Sequence, residues 1–314
     1  FGLAMIDIRY YYQCAYAFYF VTLFLLFVVE ITGHIGMGAQ RWINLGLFKI
    51  QPSELMKIGM VLFLARYFST TTLQNIRTIR GILIPAVMTV LPVGLICLQP
   101  DLGTALMLLF TATIMLFVVG VQWWKFALVG AASGALLPVA WNFLHEYQQN
   151  RVLTFLNPER DPLCAGYHII QSKIAFGSGG IFGKGFLHGT QTHLNFLPEK
   201  HTDFIFTMFS EEFGMVGSLT LVLLNIFVIA LGYLFAFRIN NYFAKLVVIG
   251  LNTNYFLYVF INIAMVMGVL PVVGIPLPLI SYGGTVMFSI MSSFGIILCM
   301  KVNQDNNINF AAED

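Results

Sequence analysis

Runs of about twenty apolar residues recur along the whole chain and leave it few ways to fold. They lie at approximately 14–32, 52–68, 80–98, 102–120, 124–143, 207–237, 246–270 and 278–300, about eight in all. An apolar helix of that length crosses ~30 Å of hydrocarbon with its backbone bonded within itself, which no isolated strand can do. The run at 52–68 is short for a full crossing. Composition agrees: 58% of residues are hydrophobic and only 10% charged, against about a quarter charged in soluble domains. The expected fold is all-α, a polytopic integral membrane protein with a single membrane domain over residues 1–314. The net charge of +2 comes without a basic stripe, so no nucleic-acid partner is expected. Cys14, Cys97, Cys164 and Cys299 are scattered, with neither metal-ligand spacing nor a disulfide framework.

The connectors are brief except for residues 144–206, a polar stretch too long to be a passive link. Within it, GYHIIQSKIAF is suited to a short amphipathic helix, and GSGGIFGKG reads as a flexible glycine-rich turn. Arg66, Arg77 and Arg80 fall in one short loop and Arg238 and Lys245 in another, with Lys125 in a third and Lys301 after the last span. All fall on one side of the alternating topology, assigned to the cytoplasm by the excess of cations there. Both ends of the chain are then inside and the 144–206 segment outside. Arg41 and Lys49 break the pattern, being cations in the short outer loop 33–51. They are chance exceptions, grip lipid headgroups, or bind an anionic substrate.

Ionisable groups at membrane depth are costly and face a partner or a cavity. Glu54 and Lys57, spaced i, i+3, are placed to pair with each other. Asp101, just before LGTALMLLF, either caps that helix or belongs to a site. Glu211 and Glu212 are adjacent and so point to different faces. Asp203 closes the long outer segment in LPEKHTDFIF, after Glu199, Lys200 and His201. Thr202 or Asp203 could cap the next helix; alternatively Asp203 is a general base at the water–lipid boundary, where partial burial and nearby cations tune a carboxylate. LPVVGIPLPLISYGGT (270–285) breaks a span with prolines and glycines. Such backbone is tolerated where it is buried in protein or lines a cavity, with Ser281 and Tyr282 presented there; a rigid turn is the plainer alternative.

GAQRWINLGLFKIQPSEL (38–55), QPDLGTA (99–105), the stretch from NPERDPLCAGYHIIQ to LPEKHTDFIF (157–206) and VVGIPLPLISYGGT (272–285) together resemble the SEDS family of shape, elongation, division and sporulation proteins. The match runs through nearly the whole chain, and resembles the rod-shape-determining branch more closely than the division branch. The resemblance implies a helical bundle of ten transmembrane helices. FGLAMIDIRY looks like the end of the second, so the first helix and most of the second are expected to be missing here. It also implies a peptidoglycan glycosyltransferase that polymerises lipid II at the outer face of the bacterial cytoplasmic (inner) membrane during elongation. The family's catalytic aspartate falls on Asp203. Arg41, Lys49, Glu199, Lys200, His201 and Ser281 fall on motif positions expected to bind substrate. No cofactor is firmly implied, and a divalent cation on the pyrophosphate is left open. The implied partners are a class B penicillin-binding protein and other elongation-machinery proteins.

Two other readings compete. A lipid II flippase or other transporter would also show intramembrane charges and broken helices, although no internal repeat is found between the halves. A non-catalytic membrane scaffold would tolerate changes at Asp203.

Overall fold

The computed structural model describes residues 1–32, 34–36, 39–44, 49–142, 149–150, 153–154, 157, 165–189 and 201–304. Two compact units share the chain. One comprises residues 1–121, 228–257 and 284–314, the other 122–227 and 258–283. The helices are α1 (Ile8–Thr32), α2 (Pro52–Thr70), α3 (Leu73–Arg77), α4 (Ile79–Leu98), α5 (Leu102–Val119), α6 (Trp123–Trp141), α7 (Ala165–Ser178), α8 (Ile205–Arg238), α9 (Tyr242–Val266) and α10 (Gly284–Val302). Each of the eight expected spans meets one of them. Among the described residues six are long and apolar enough to cross a membrane: α1, α4, α5, α8, α9 and α10. The other two expected spans coincide with α2 and α6.

In the first unit, α1 packs along α2 and α4 along α5. α2 carries Glu54 and Lys57 yet is enclosed, with residues 56–65 all buried. A helix surrounded by protein needs no uniformly apolar surface if its charges are paired. Here Lys57 Nζ lies 2.7 Å from Glu54 Oε1, both side chains almost fully buried, so the pairing expected from the spacing is present. Ser289 on α10 donates to the Glu54 carbonyl at 3.3 Å.

α4 contains Pro85 and Pro92, each of which leaves the carbonyl four residues back without its helical donor. Tyr67 OH donates to Gly81 O at 3.1 Å and Tyr19 OH to Met88 O at 2.6 Å. Both freed carbonyls are thus satisfied by phenols from neighbouring helices, which is what a bilayer demands of a broken backbone.

The Arg66 guanidinium lies 4.7 Å and 4.2 Å from the rings of Tyr12 and Tyr16 and donates to Gln13 O at 2.8 Å. Tyr12 also meets Phe243 edge-on at 5.3 Å. The start of α1, the end of α2 and the start of α9 therefore share one end of this unit.

The described part of the stretch between α1 and α2 is not a plain connector. It forms a small antiparallel sheet, β1 (His34–Gly36), β2 (Ala39–Asn44) and β3 (Lys49–Ile50), in the order β1-β2-β3. Asn44 pairs with Lys49, and Ile43 with Ile50.

The second unit holds α6, α7, the first part of α8 and the end of α9 with the segment that follows it. α7 covers the stretch expected to be a short helix. Several span ends differ from expectation: α1 begins at Ile8 rather than 14 and α9 at Tyr242 rather than 246. α9 stops at Val266 rather than 270, and α10 begins at Gly284 rather than 278. The intervening LPVVGIPLPLI keeps the hydropathy high, but its prolines and glycines cannot hold a helix.

Candidate active site

Asp203 lies in the turn that leads into α8 and is half-buried, between an exposed His201 and a buried Phe204. Three consecutive carbonyls of this turn are each captured by a different donor. Tyr282 N donates to His201 O at 2.9 Å. Ser281 Oγ donates to Thr202 O at 2.6 Å and accepts from Leu277 N at 2.7 Å. Asn262 on α9, wholly buried, donates from Nδ2 to Asp203 O at 2.8 Å and to Ile275 O at 2.7 Å.

The non-helical segment after α9 is therefore bonded to the 201–203 turn through Ser281 and Tyr282, and Asn262 links Ile275 to the same turn. The segment also comes near the turn at Gly274, whose φ of +73° suits glycine. A Cβ there would come within 3.3 Å of Asp203 Oδ2, so the carboxylate lies against bare backbone. The HTDF and ISYGG motifs, 79 positions apart between Thr202 and Ser281, form one structure. Tyr282, by contrast, turns its ring outward and is 81% exposed.

Arg41 and Lys49 belong to the first unit. Arg41 on β2 donates to the carbonyls of Gln99 (3.2 Å) and Pro100, and its Nη1 lies 3.8 Å from Asp101 Oδ1. Asp101 is also the N-cap of α5: its carboxylate accepts from Thr104 N at 3.4 Å and Thr104 Oγ1 at 2.9 Å. Gln51 Nε2 reaches the same carboxylate at 3.2 Å. Of the two roles open for Asp101 in the sequence, cap or site residue, the cap is present, and the same carboxylate also faces Arg41. Lys49 on β3 is exposed. Glu199 and Lys200 lie outside the described residues.

Asn262, Gln51 and Gly274 were not singled out from sequence. Asn262 is one of three Asn in an apolar span, with Asn252 and Asn254, and that was the available signal, since polar side chains at that depth bond across helices. Glu211, one of the adjacent pair, is fully buried and meets Lys184 Nζ at 2.7 Å; Glu212 is 8% exposed. Cys14, Cys97 and Cys299 are free thiols.

Residues 1–306 match the model of the FtsW, RodA and SpoVE family of cell cycle proteins. The chain belongs to this family. Among curated relatives of this FtsW/RodA/SpoVE member, the peptidoglycan glycosyltransferase MrdB of Escherichia coli K12 is 44% identical over 303 residues, 96% of this chain and 81% of that protein. Stage V sporulation protein E of Bacillus subtilis is 38% identical, covering 88% and 76%. Among solved structures, a chain of a peptidoglycan synthase complex that coordinates polymerization and crosslinking superposes with a TM-score of 0.83 at 33% identity, over 97% of this chain and 85% of that one. The rod shape determining protein RodA of Thermus thermophilus gives 0.71 at 28% identity, over 97% and 83%.

Proposed function

We propose that this family member is a peptidoglycan glycosyltransferase of cell elongation, polymerising lipid II with Asp203 as general base. The observation that carries this reading is the held turn: carbonyls 201, 202 and 203 are each bonded to a separate donor, and the carboxylate that follows lies against Gly274. A base must be fixed within hydrogen-bond reach of the proton it takes, and this one is fixed through its own backbone.

In the proposed step Asp203 removes the proton from the C4 hydroxyl of the acceptor's N-acetylglucosamine. The freed oxygen pair forms a bond to C1 of the donor's N-acetylmuramic acid. The C1–O bond to the pyrophosphate breaks with inversion, and its electron pair leaves on undecaprenyl pyrophosphate. Lys49 and Arg41 are assigned to the pyrophosphate by their charge and the family motif, stabilising the leaving group as its charge grows. Arg41 would act as a fixed cation, its guanidinium already tied to Gln99, Pro100 and Asp101. Ser281 is better read as a positioning residue than as a substrate ligand, since its hydroxyl is occupied by Thr202 O and Leu277 N. Glu199, Lys200 and His201 keep the substrate-binding role given by their motif. A divalent cation on the pyrophosphate is compatible with this chemistry. Among the described residues no group of three or more His, Cys, Asp or Glu side chains is gathered to hold one.

The site would face outward from the cytoplasmic (inner) membrane, beside the partner transpeptidase, a class B penicillin-binding protein. Two of the three buried acids on which a transport reading leaned have cationic partners, Glu54 with Lys57 and Glu211 with Lys184; the third is Glu212.

The test is lipid II polymerisation by the purified protein with its transpeptidase partner. Asp203→Asn should fold normally and lose about 100- to 10,000-fold in rate. Near-parental strand synthesis by that variant would rule out the base role.

A further inference from the structure

α8 is interrupted at Gly214, whose φ of 67° and ψ of −162° lie outside the helical region. In an unbroken helix Met215 N would bond Glu211 O, and Val216 N would bond Glu212 O. Here the glycine-rich turn after α7 is inserted between them. Lys184 N donates to Glu211 O and Gly185 N to Glu212 O, both at 3.0 Å, while Met215 N donates to Gly180 O at 2.9 Å and Val216 N to Ile181 O at 3.1 Å. Two helical bonds are exchanged for four bonds to the inserted turn, so each of these four backbone groups keeps a partner. The turn expected to be flexible is instead bonded on both sides.

The fit is close. A Cβ on Gly183 would strike Glu212 O and Gly214 N, and one on Gly214 would strike Gly183 N and Ile181 O. Across the same junction the Lys184 ammonium reaches Glu211 Oε1 at 2.7 Å, with the Glu211 side chain fully buried. Apolar side chains of similar size would pack there without the desolvation cost of an ion pair, whose best-attested use is to fix register.

What this junction registers is the helical piece before the break. Residues 205–213 span only about 13 Å, with Asp203 just ahead of them. One end is held by Tyr282, Ser281 and Asn262. In the middle, Ser172 on α7 joins Thr207 Oγ1 at 2.8 Å and Val266 O at 3.0 Å. The inserted turn holds the other end. A slip of one residue there would move Asp203 ~1.5 Å along the axis and about 100° around it.

We propose that the inserted turn is a positioning clasp, in which Lys184 and Glu211 set the depth and rotation of the segment bearing Asp203. The activity arm of its test rests on the glycosyltransferase reading; a second arm does not. In the full chain with its transpeptidase, Lys184→Met should lower kcat about 10- to 100-fold, the scale of a ~1 Å misplacement, with KM for lipid II nearly unchanged. Lys184→Arg should restore most of kcat. Independently, a nitroxide at His201→Cys, with the four native cysteines replaced by Ala, should be immobilised in the parent and in Lys184→Arg but mobile in Lys184→Met. If the single variant does not fold, Lys184→Met/Glu211→Leu removes both charges together and should fold with low kcat and a mobile label. Parental kcat with an immobile label in either folded variant would overturn the clasp. So would a raised KM at parental kcat, which would make Lys184 a substrate ligand. If the parent itself makes no strands, the glycosyltransferase reading fails while the label still decides the clasp.

Discussion

Replacing Asn262 with Ala isolates the contribution of the held turn. Its Nδ2 serves two carbonyls, Ile275 O in a buried bond and Asp203 O in a part-buried one. Each, left unbonded away from water, costs ~1–3 kcal/mol, so the pair costs ~2–6. Against this, Asn262 Oδ1 is itself buried with no hydrogen-bond partner among the described residues, and deleting it returns ~1–3 kcal/mol. The space vacated by the carboxamide adds about 1 kcal/mol of cavity cost. The expected net loss is therefore ~2–4 kcal/mol, concentrated where the 201–203 turn meets the segment after α9. Thermal unfolding of the purified protein should show a lowered Tm. Lipid II polymerisation should fall further than stability alone explains, by about 100-fold, because the freed backbone no longer fixes the carboxylate. Asn252→Ala is the control. It removes an equally buried amide that donates to Ile229 O at 2.9 Å but holds no carbonyl of the 201–203 turn, so it should lower Tm while keeping turnover. If Asn262→Ala keeps the parental Tm and turnover, or if the two variants lose turnover equally, the backbone account of Asp203 is wrong.

Tyr19→Phe should cost about 1 kcal/mol by stripping the donor from Met88 O, read as a lower Tm. Adding Pro92→Ala should recover the loss, because the new N–H bonds the same carbonyl; no recovery would refute the link between phenol and proline. Arg41→Lys should destabilise by ~1–2 kcal/mol, since an ammonium cannot reproduce the fork that serves the Gln99 and Pro100 carbonyls together. A Tm equal to the parent's would show the fork to be dispensable. Gly274→Ala forces a side chain into φ +73° beside Asp203 Oδ2, a strain of about 1–3 kcal/mol. It should reduce polymerisation more than Tm, and unaltered turnover would remove Gly274 from the site.

The helices were legible because hydropathy reports what a bilayer accepts, and each apolar run became a helix at or near its expected place. The ends at Val266 and Gly284 were not, since an apolar composition persists through prolines and glycines that end the helix. A single glycine inside an apolar run is ordinarily tolerated, so nothing local marked Gly214 as a break; its reason lies thirty residues upstream, in the turn that enters there. Asp203 was visible from its charged neighbours and its motif, and the pairing of Glu54 with Lys57 from i, i+3 spacing. Ser281 was visible as a residue but not as a clamp, because its partners are backbone atoms of Thr202 and Leu277. Side-chain-to-backbone bonds leave no pairwise signature in one sequence: any residue at 202 presents the same carbonyl.

That asymmetry accounts for how the polar groups of the second unit are used. Ser172, Asn262 and Ser281 each donate to a main-chain carbonyl, and Glu211 and Lys184 neutralise each other. At membrane depth every such group would be a penalty if left alone. Committing them to backbone carbonyls turns the penalty into constraint, because a carbonyl cannot change rotamer to escape its donor. The piece of α8 that follows Asp203 is then stiff for a reason other than helix propensity, which for nine residues in isolation would be marginal. A catalytic carboxylate carried on a short free helix would sample many positions; carried on one tied at both ends and in the middle, it samples few. Mutations that spare Asp203 but loosen any one tie should therefore resemble one another, with turnover falling and substrate affinity kept, and this shared pattern separates positioning from direct contact with substrate.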